Sequence, residues 1–202
     1  MDKEGLQLAA RFAWSAKKCA GQDNKYILEN CVVNNEFDGV EAALKKYAGM
    51  LRYLTFIAES LHHLPFDLEV VTAYWLGSTD LKKIKQLNTI PFHLTKVLQE
   101  ERVFAKRGKP DINRVTSCMV RPAEVITVTD DKLVVWSYSL TGTVGNYSLL
   151  NHQEEVPYHK GFLPGIKPGD QLAIHGQPVK KLTTEEAETL RRWIGTVLGR
   201  QH

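Results

Sequence analysis

A chain of 202 residues that is 43% apolar and 24% charged has the composition of a globular protein, and it is long enough to bury a core without staples. Its formal charge of +3 is too small to make a nucleic-acid footprint, and its three cysteines, an odd number with no Cys-x-x-Cys pair, argue against a disulfide framework and against zinc-site spacing. The sequence holds no apolar run of membrane-spanning length, and its first residues, Met-Asp-Lys-Glu-Gly, lack a signal peptide's apolar region, so a soluble cytoplasmic protein is expected.

In chain order, residues 6–14 read as a helix. Val40, Leu44, Tyr47, Leu51, Leu54, Ala58 and Leu61 recur at helical spacing, which predicts one long amphipathic helix over about residues 38–62, closed by Pro65. Leu68, Val71, Thr72, Trp75 and Leu76 form a second stripe that Gly77 stops. Thr79 can cap a short helix reaching Leu87, and Pro91 stands where another begins, its stripe running through Phe92, Leu94, Thr95, Leu98 and Val103. The expectation is a small helical bundle over residues 1–108. Residues 105–111 are polar and are broken by Gly108 and Pro110, which suits a linker.

Beyond it the period shortens to that of strands. Residues 121–128 read as a strand, Asp130-Asp131 as a turn, and residues 132–140 as a second strand with Val134 and Trp136 on one face. Trp136 is expected in the core. Gly142 and Gly145 mark a turn, residues 147–156 are a weaker strand, and Gly161, Pro164, Gly165, Pro168 and Gly169 punctuate a loop before a short strand at residues 171–175. Thr183 with Glu186 three residues on forms a capping box for a last helix, whose apolar face is Ala187, Leu190, Ile194, Val197 and Leu198. Its acidic start and the later Arg191, Arg192 and Arg200 suit the helix dipole, and Gly199 is placed to end it. The predicted class is α+β: a helical bundle, then an OB-like β-barrel with a C-terminal helix over residues 112–202.

Two residues stand out chemically. Cys118 follows the linker at the expected entry to a strand, where a thiol can stay reachable. Thiolate sulfur is a soft donor, suited to low-spin iron with strong-field ligands, and a single thiolate can release what it holds. The competing assignment is an inert buried cysteine, the commoner fate of this residue type. His175 ends a short strand; facing Cys118 it would orient a ligand or tune the thiolate, and otherwise it is a core histidine with one backbone hydrogen bond.

The remaining candidates carry less. Cys19 and Cys31 read as structural, with Cys19 ahead of an expected turn at residues 21–24. His62 and His63 are adjacent and do not share a helix face. His93, near a helix start, reads as surface, and His152 and His159 as loop residues. Neither a glycine-rich nucleotide motif nor a G-x-S-x-G elbow occurs. Lys132, Trp136, Tyr138 and Tyr147 could line a single-stranded nucleic-acid surface on an OB-type fold. A redox-sensing thiol would need a low-pKa Cys118 with a resolving cysteine nearby.

Cys118, Pro122 and Val125 stand in a C-x-x-x-P-x-x-V pattern; Gly169, Asp170, Leu172, Ile174 and His175 stand in a G-D-x-L-x-I-H strand; Lys181-Leu182 and the acidic helix with Glu185, Glu186, Ala187 and Leu190 follow. In this order and spacing the second half resembles the HypC family of nickel-iron hydrogenase maturation chaperones. That resemblance implies a small barrel whose cysteine carries an iron fragment bearing cyanide and carbon monoxide. It implies a HypD-type partner that assembles the fragment and a hydrogenase large subunit that receives it. Cys118 would be the iron ligand and His175 its assisting residue, in a carrier rather than an enzyme. Cys118 is internal here, whereas the family's cysteine follows the initiator methionine, and residues 140–164 exceed what a minimal family barrel needs. The texture of Gly5-Leu6, Ala10-Arg11-Phe12-Ala13, Pro65-Phe66-Asp67 and Ala73-Tyr74-Trp75 also resembles a hydrogenase-associated family of bacterial and archaeal proteins.

Overall fold

A computed structural model describes residues 2–15, 22–78, 81, 84, 92–108 and 111–199, and the chain divides into two compact units, residues 1–92 and 93–202. The class is α+β. Among the described residues no helix is long and apolar enough to cross a membrane. Cys19, Thr79, Leu87, Pro91 and Arg200, to which the sequence assigned roles, lie outside the described residues.

The first unit holds α1 (Lys3–Ser15), α2 (Gln22–Asn34), α3 (Val40–Lys45), α4 (Ala48–Leu61) and α5 (Leu68–Leu76). Helix α1 begins under Asp2, whose carboxylate accepts from Glu4 N at 3.0 Å and Gly5 N at 3.1 Å. Its other oxygen accepts from Leu68 N at 2.7 Å, so one side chain caps α1 and holds the first turn of α5. The helices then pack face to face: Phe12 stacks on Trp75 with ring centroids 4.5 Å apart, and Tyr74 meets Trp75 edge-on at 4.9 Å.

Burial alone would raise the Asp2 carboxyl, but the donors Leu68, Gly5 and Glu4 outweigh it and hold the group below the usual carboxylate range. A depressed folded pKa gives stabilisation that is present above the unfolded value, about 3.9, and lost as pH falls through the folded value. Asp2→Ala should cost about 1 kcal/mol at neutral pH and flatten the acid limb of the melting-temperature profile. Melting curves of both proteins from neutral to strongly acidic pH check this.

The single helix expected over residues 38–62 is two. The chain breaks at Lys46 and Tyr47, where Tyr47 takes ψ 68° and serves as the N-cap of α4. Val40, Leu44, Leu54 and Ala58 are nonetheless all buried, so the apolar stripe continues across the corner. Helix α2 occupies a stretch with a turn expected near its start; Leu28, Cys31 and Val32 are its buried apolar residues among those described, a weak stripe.

The second unit comprises α6 (His93–Lys106), α7 (Ile112–Cys118), β1 (Arg121–Val128), β2 (Lys132–Thr143), β3 (Asn146–Pro157), β4 (Gln171–Ile174), β5 (Pro178–Leu182) and α8 (Thr184–Gly199). The five strands form one antiparallel sheet in the order β3-β2-β1-β4-β5, with no β3–β5 pairing among the described residues. Its core joins Ala123, Val125, Leu133, Val135, Val156, Leu172 and Ile174 to Tyr158, Leu163 and Ile166 from the loop before β4. Tyr158 donates its hydroxyl to Leu163 O at 3.0 Å and fastens that loop.

The expected capping box is present: Glu186 N donates to Thr183 Oγ1 at 3.2 Å, and Thr183 N donates to Glu186 Oε2 at 2.9 Å. Helix α8 packs against β1, β4 and β5 and is described through Gly199. Trp136 departs from expectation. It is 45% exposed, because Leu133 and Val135 face the core and the Val134–Trp136 face points the other way. Helix α7 and strand β5 were not anticipated; α7 is started by Asp111, whose side chain accepts from Arg114 N at 3.0 Å.

Candidate cysteine and histidine site

The two sequence motifs are neighbouring strands. Strands β1 and β4 pair antiparallel, Arg121 with Ile174, Pro122 with Ala173, Ala123 with Leu172 and Glu124 with Gln171. One step further along this register Val120 falls opposite His175, so the cysteine end of one motif and the histidine end of the other reach the same end of the sheet.

Cys118 is not at a strand entry. It is the last residue of α7, half-buried, and Met119 and Val120 lead from it into β1. His175 lies just past the end of β4, in a bend closed by its own backbone N–H donating to Gln177 O at 2.9 Å. It is 2% exposed.

Between them the structure places His93, which sequence reasoning assigned to the surface. His93 opens α6, is 7% exposed, and its Nε2 lies 2.9 Å from the backbone carbonyl of Cys118. A carbonyl only accepts, so Nε2 carries the hydrogen and donates it. The His93 ring meets His175 edge-to-face, with centroids 5.3 Å apart. Burial, and next the neighbouring His175, hold His93 well below the usual imidazole range, against the opposing bond to Cys118. His93 is therefore a neutral imidazole that fixes the C-terminal end of α7 and bears on His175. No local sequence signal marks it; its partners are 25 and 82 positions away in a fold that only tertiary packing closes.

The remaining candidates sort differently. Among the described residues, no three His, Cys, Asp or Glu side chains converge as a metal-binding group. Cys31 is buried within α2, and burial pushes its thiol up to about 11, so it stays protonated and is poorly suited to resolve a disulfide. His152 lies on β3 rather than in a loop. Lys132 is ion-paired with Glu155 at 2.8 Å, and Trp136 is exposed four positions further along the same strand. A cleft of about 470 Å³ near Tyr147 is walled by Glu101, Ile112 and Val144 and excludes all three site residues. Burial, then the Glu101 carboxylate, raise the Tyr147 phenol; Glu101 is itself buried and ion-paired with Arg114.

A family profile described as a family of unknown function (DUF6390) matches residues 1–103, just over half of the chain. The matched segment contains His93 and ends before Cys118 and His175. No curated protein and no solved structure matches the chain.

Proposed function

The chain belongs to the DUF6390 family, a family of unknown function, and we propose that it is a maturation chaperone that carries an iron–cyanide–carbonyl fragment on Cys118 for nickel-iron hydrogenase. The observation that supports this reading is the pairing of β1 with β4, which sets the Cys118 and His175 ends of two HypC-like motifs side by side. The strand order β3-β2-β1-β4-β5, antiparallel with β1 central, suits a partly open OB-type barrel, and we read the second unit as one.

In this mechanism Cys118 loses its thiol proton, and a sulfur lone pair forms the bond to iron. The fragment brings its own cyanide and carbonyl ligands, so a full set of protein donors is not required. His93 anchors the backbone that presents the sulfur, and His175 assists the bound fragment. Delivery breaks the sulfur–iron bond as a cysteine thiolate of the acceptor replaces Cys118. The partners are a HypD-type assembly protein and the hydrogenase large subunit.

Infrared spectra of protein co-expressed with the iron-assembly machinery should contain cyanide and carbonyl stretches. Cys118→Ala should abolish them while leaving the fold intact, and His175→Ala should weaken retention less. Unchanged stretches in Cys118→Ala would overturn the reading. A second reading, single-stranded nucleic-acid binding on β2 and β3, draws only on the exposed Trp136; a salt-sensitive mobility shift lost in Trp136→Ala would favour it.

A further inference from the structure

Strand β2 outruns β1. Its pairing with β1 reaches Trp136, whereas its pairing with β3 continues through Thr143 opposite Asn146. Beyond Trp136 the two strands form an arm, and the β2 side of that arm is occupied by α7, where Leu140 N donates to Thr116 Oγ1 at 3.1 Å. The β3 side is the edge of the sheet.

That edge is unevenly protected. Its second half carries Glu154, Glu155 and, at its end, Pro157, the charges and proline that keep edge strands from pairing. Residues 146–151, Asn-Tyr-Ser-Leu-Leu-Asn, hold neither charge nor proline, and their register with β2 runs without a bulge. Leu149 is 39% exposed and Leu150 53%. An uncharged, regular edge with exposed leucines is a template for another strand.

We propose that residues 146–151 form a dimer interface, with β3 pairing antiparallel to β3 of a second copy of this chain. Charge placement selects both occupant and register. With the two-fold axis through Leu149, since opposite residues must share a face of the sheet, Leu149 faces the copy's Leu149, Ser148 faces Leu150, Tyr147 faces Asn151, and Asn146 faces His152. Glu154 and Glu155 then fall level with Val144 and Thr143, at the turn before the strand, so no carboxylate meets another. Moving the axis to Glu154 or Glu155 would set that carboxylate against its own counterpart, which like-charge repulsion disfavours. The neutral half is thus self-complementary, as a two-fold interface requires. Pairing also turns each two-stranded arm into part of a four-stranded sheet, a more stable unit than an isolated strand pair.

Sedimentation velocity over a dilution series of the full chain should give a monomer–dimer equilibrium. Leu149→Lys/Leu150→Lys sets lysine against lysine across the interface and should weaken the dimer by about tenfold or more. Because both leucines are exposed, circular dichroism should be unchanged in the monomer. Hydrogen exchange of the wild type should show protection that rises with concentration across residues 146–151. A wild-type monomer at every concentration, a dimer that survives the double substitution, or protection that maps to other segments would each overturn the interface.

Discussion

Gly5→Ala should unfold the first unit far more readily than the wild type. A methyl group at position 5 would sit 2.0 Å from Phe66 O, 2.7 Å from Leu68 N and 2.8 Å from Asp67 C. All three are backbone atoms, so no side chain can rotate away. Helix α1 must lift from the start of α5, and that motion also strains the Asp2 bond to Leu68 N and the stacking of Phe12 on Trp75. The expected cost is about 3 kcal/mol, at the upper end for overpacking. In a unit of this size that is a fall of roughly 12–24 °C in its melting temperature. Gly195→Ala is the matched control: position 195 lies in α8 with nothing within 4 Å of an added Cβ, and alanine there should be neutral or stabilise by up to about 1 kcal/mol. Thermal unfolding followed by circular dichroism distinguishes them, and equal melting of Gly5→Ala and wild type would mean that α1 does not approach α5 this closely.

The same contact explains what sequence could and could not reveal. Gly5, Phe12, Phe66, Tyr74 and Trp75 were legible as a shared texture, yet their purpose is tertiary: they bring α1 against α5 and the turn before it. Local chemistry was read correctly where it closes within a few residues, as in the Thr183–Glu186 capping box. Periodicity was weaker where both phases are apolar. Residues 132–138 alternate Leu133 and Val135 with Val134, Trp136 and Tyr138, and only the partner residues Val125 and Val156 decide which set faces inward. The apolar stripe from Val40 to Leu61 reports buried side chains and is blind to the backbone corner at Tyr47. For the candidate site, Cys118 and His175 could be named from motif order, whereas His93 could not, since its role exists only once α6 meets the end of α7 and the bend after β4.

Removing the carboxylate of Glu154 should be the most damaging change in the second unit. Arg121, the first residue of β1, is buried at 4% exposure, and its Nη1 donates to Tyr138 O at 2.7 Å and to Glu154 Oε1 at 2.6 Å. Nη2 reaches Glu154 Oε2 at 3.4 Å, so the guanidinium clamps β1 to β3 across the intervening β2. Glu154→Ala leaves a buried positive charge facing one carbonyl, and an unpaired ion in such a setting costs about 3 kcal/mol. Replacing both partners with apolar residues of similar volume, Arg121→Met/Glu154→Leu, should recover much of that loss, because the desolvation of the charge disappears with the charge. The double variant should therefore melt above the single one, an order that an exposed and dispensable ion pair would not produce. Arg121 pairs with Ile174, the residue before His175, and lies three positions after Cys118. Glu154→Ala should consequently raise hydrogen exchange along β1 and β4 and, under the carrier function proposed above, weaken retention of the iron fragment, while Arg121→Met/Glu154→Leu restores both. Fragment retention that stays low in the double variant, with exchange back at the wild-type rate, would instead assign Arg121 a direct contact with the fragment.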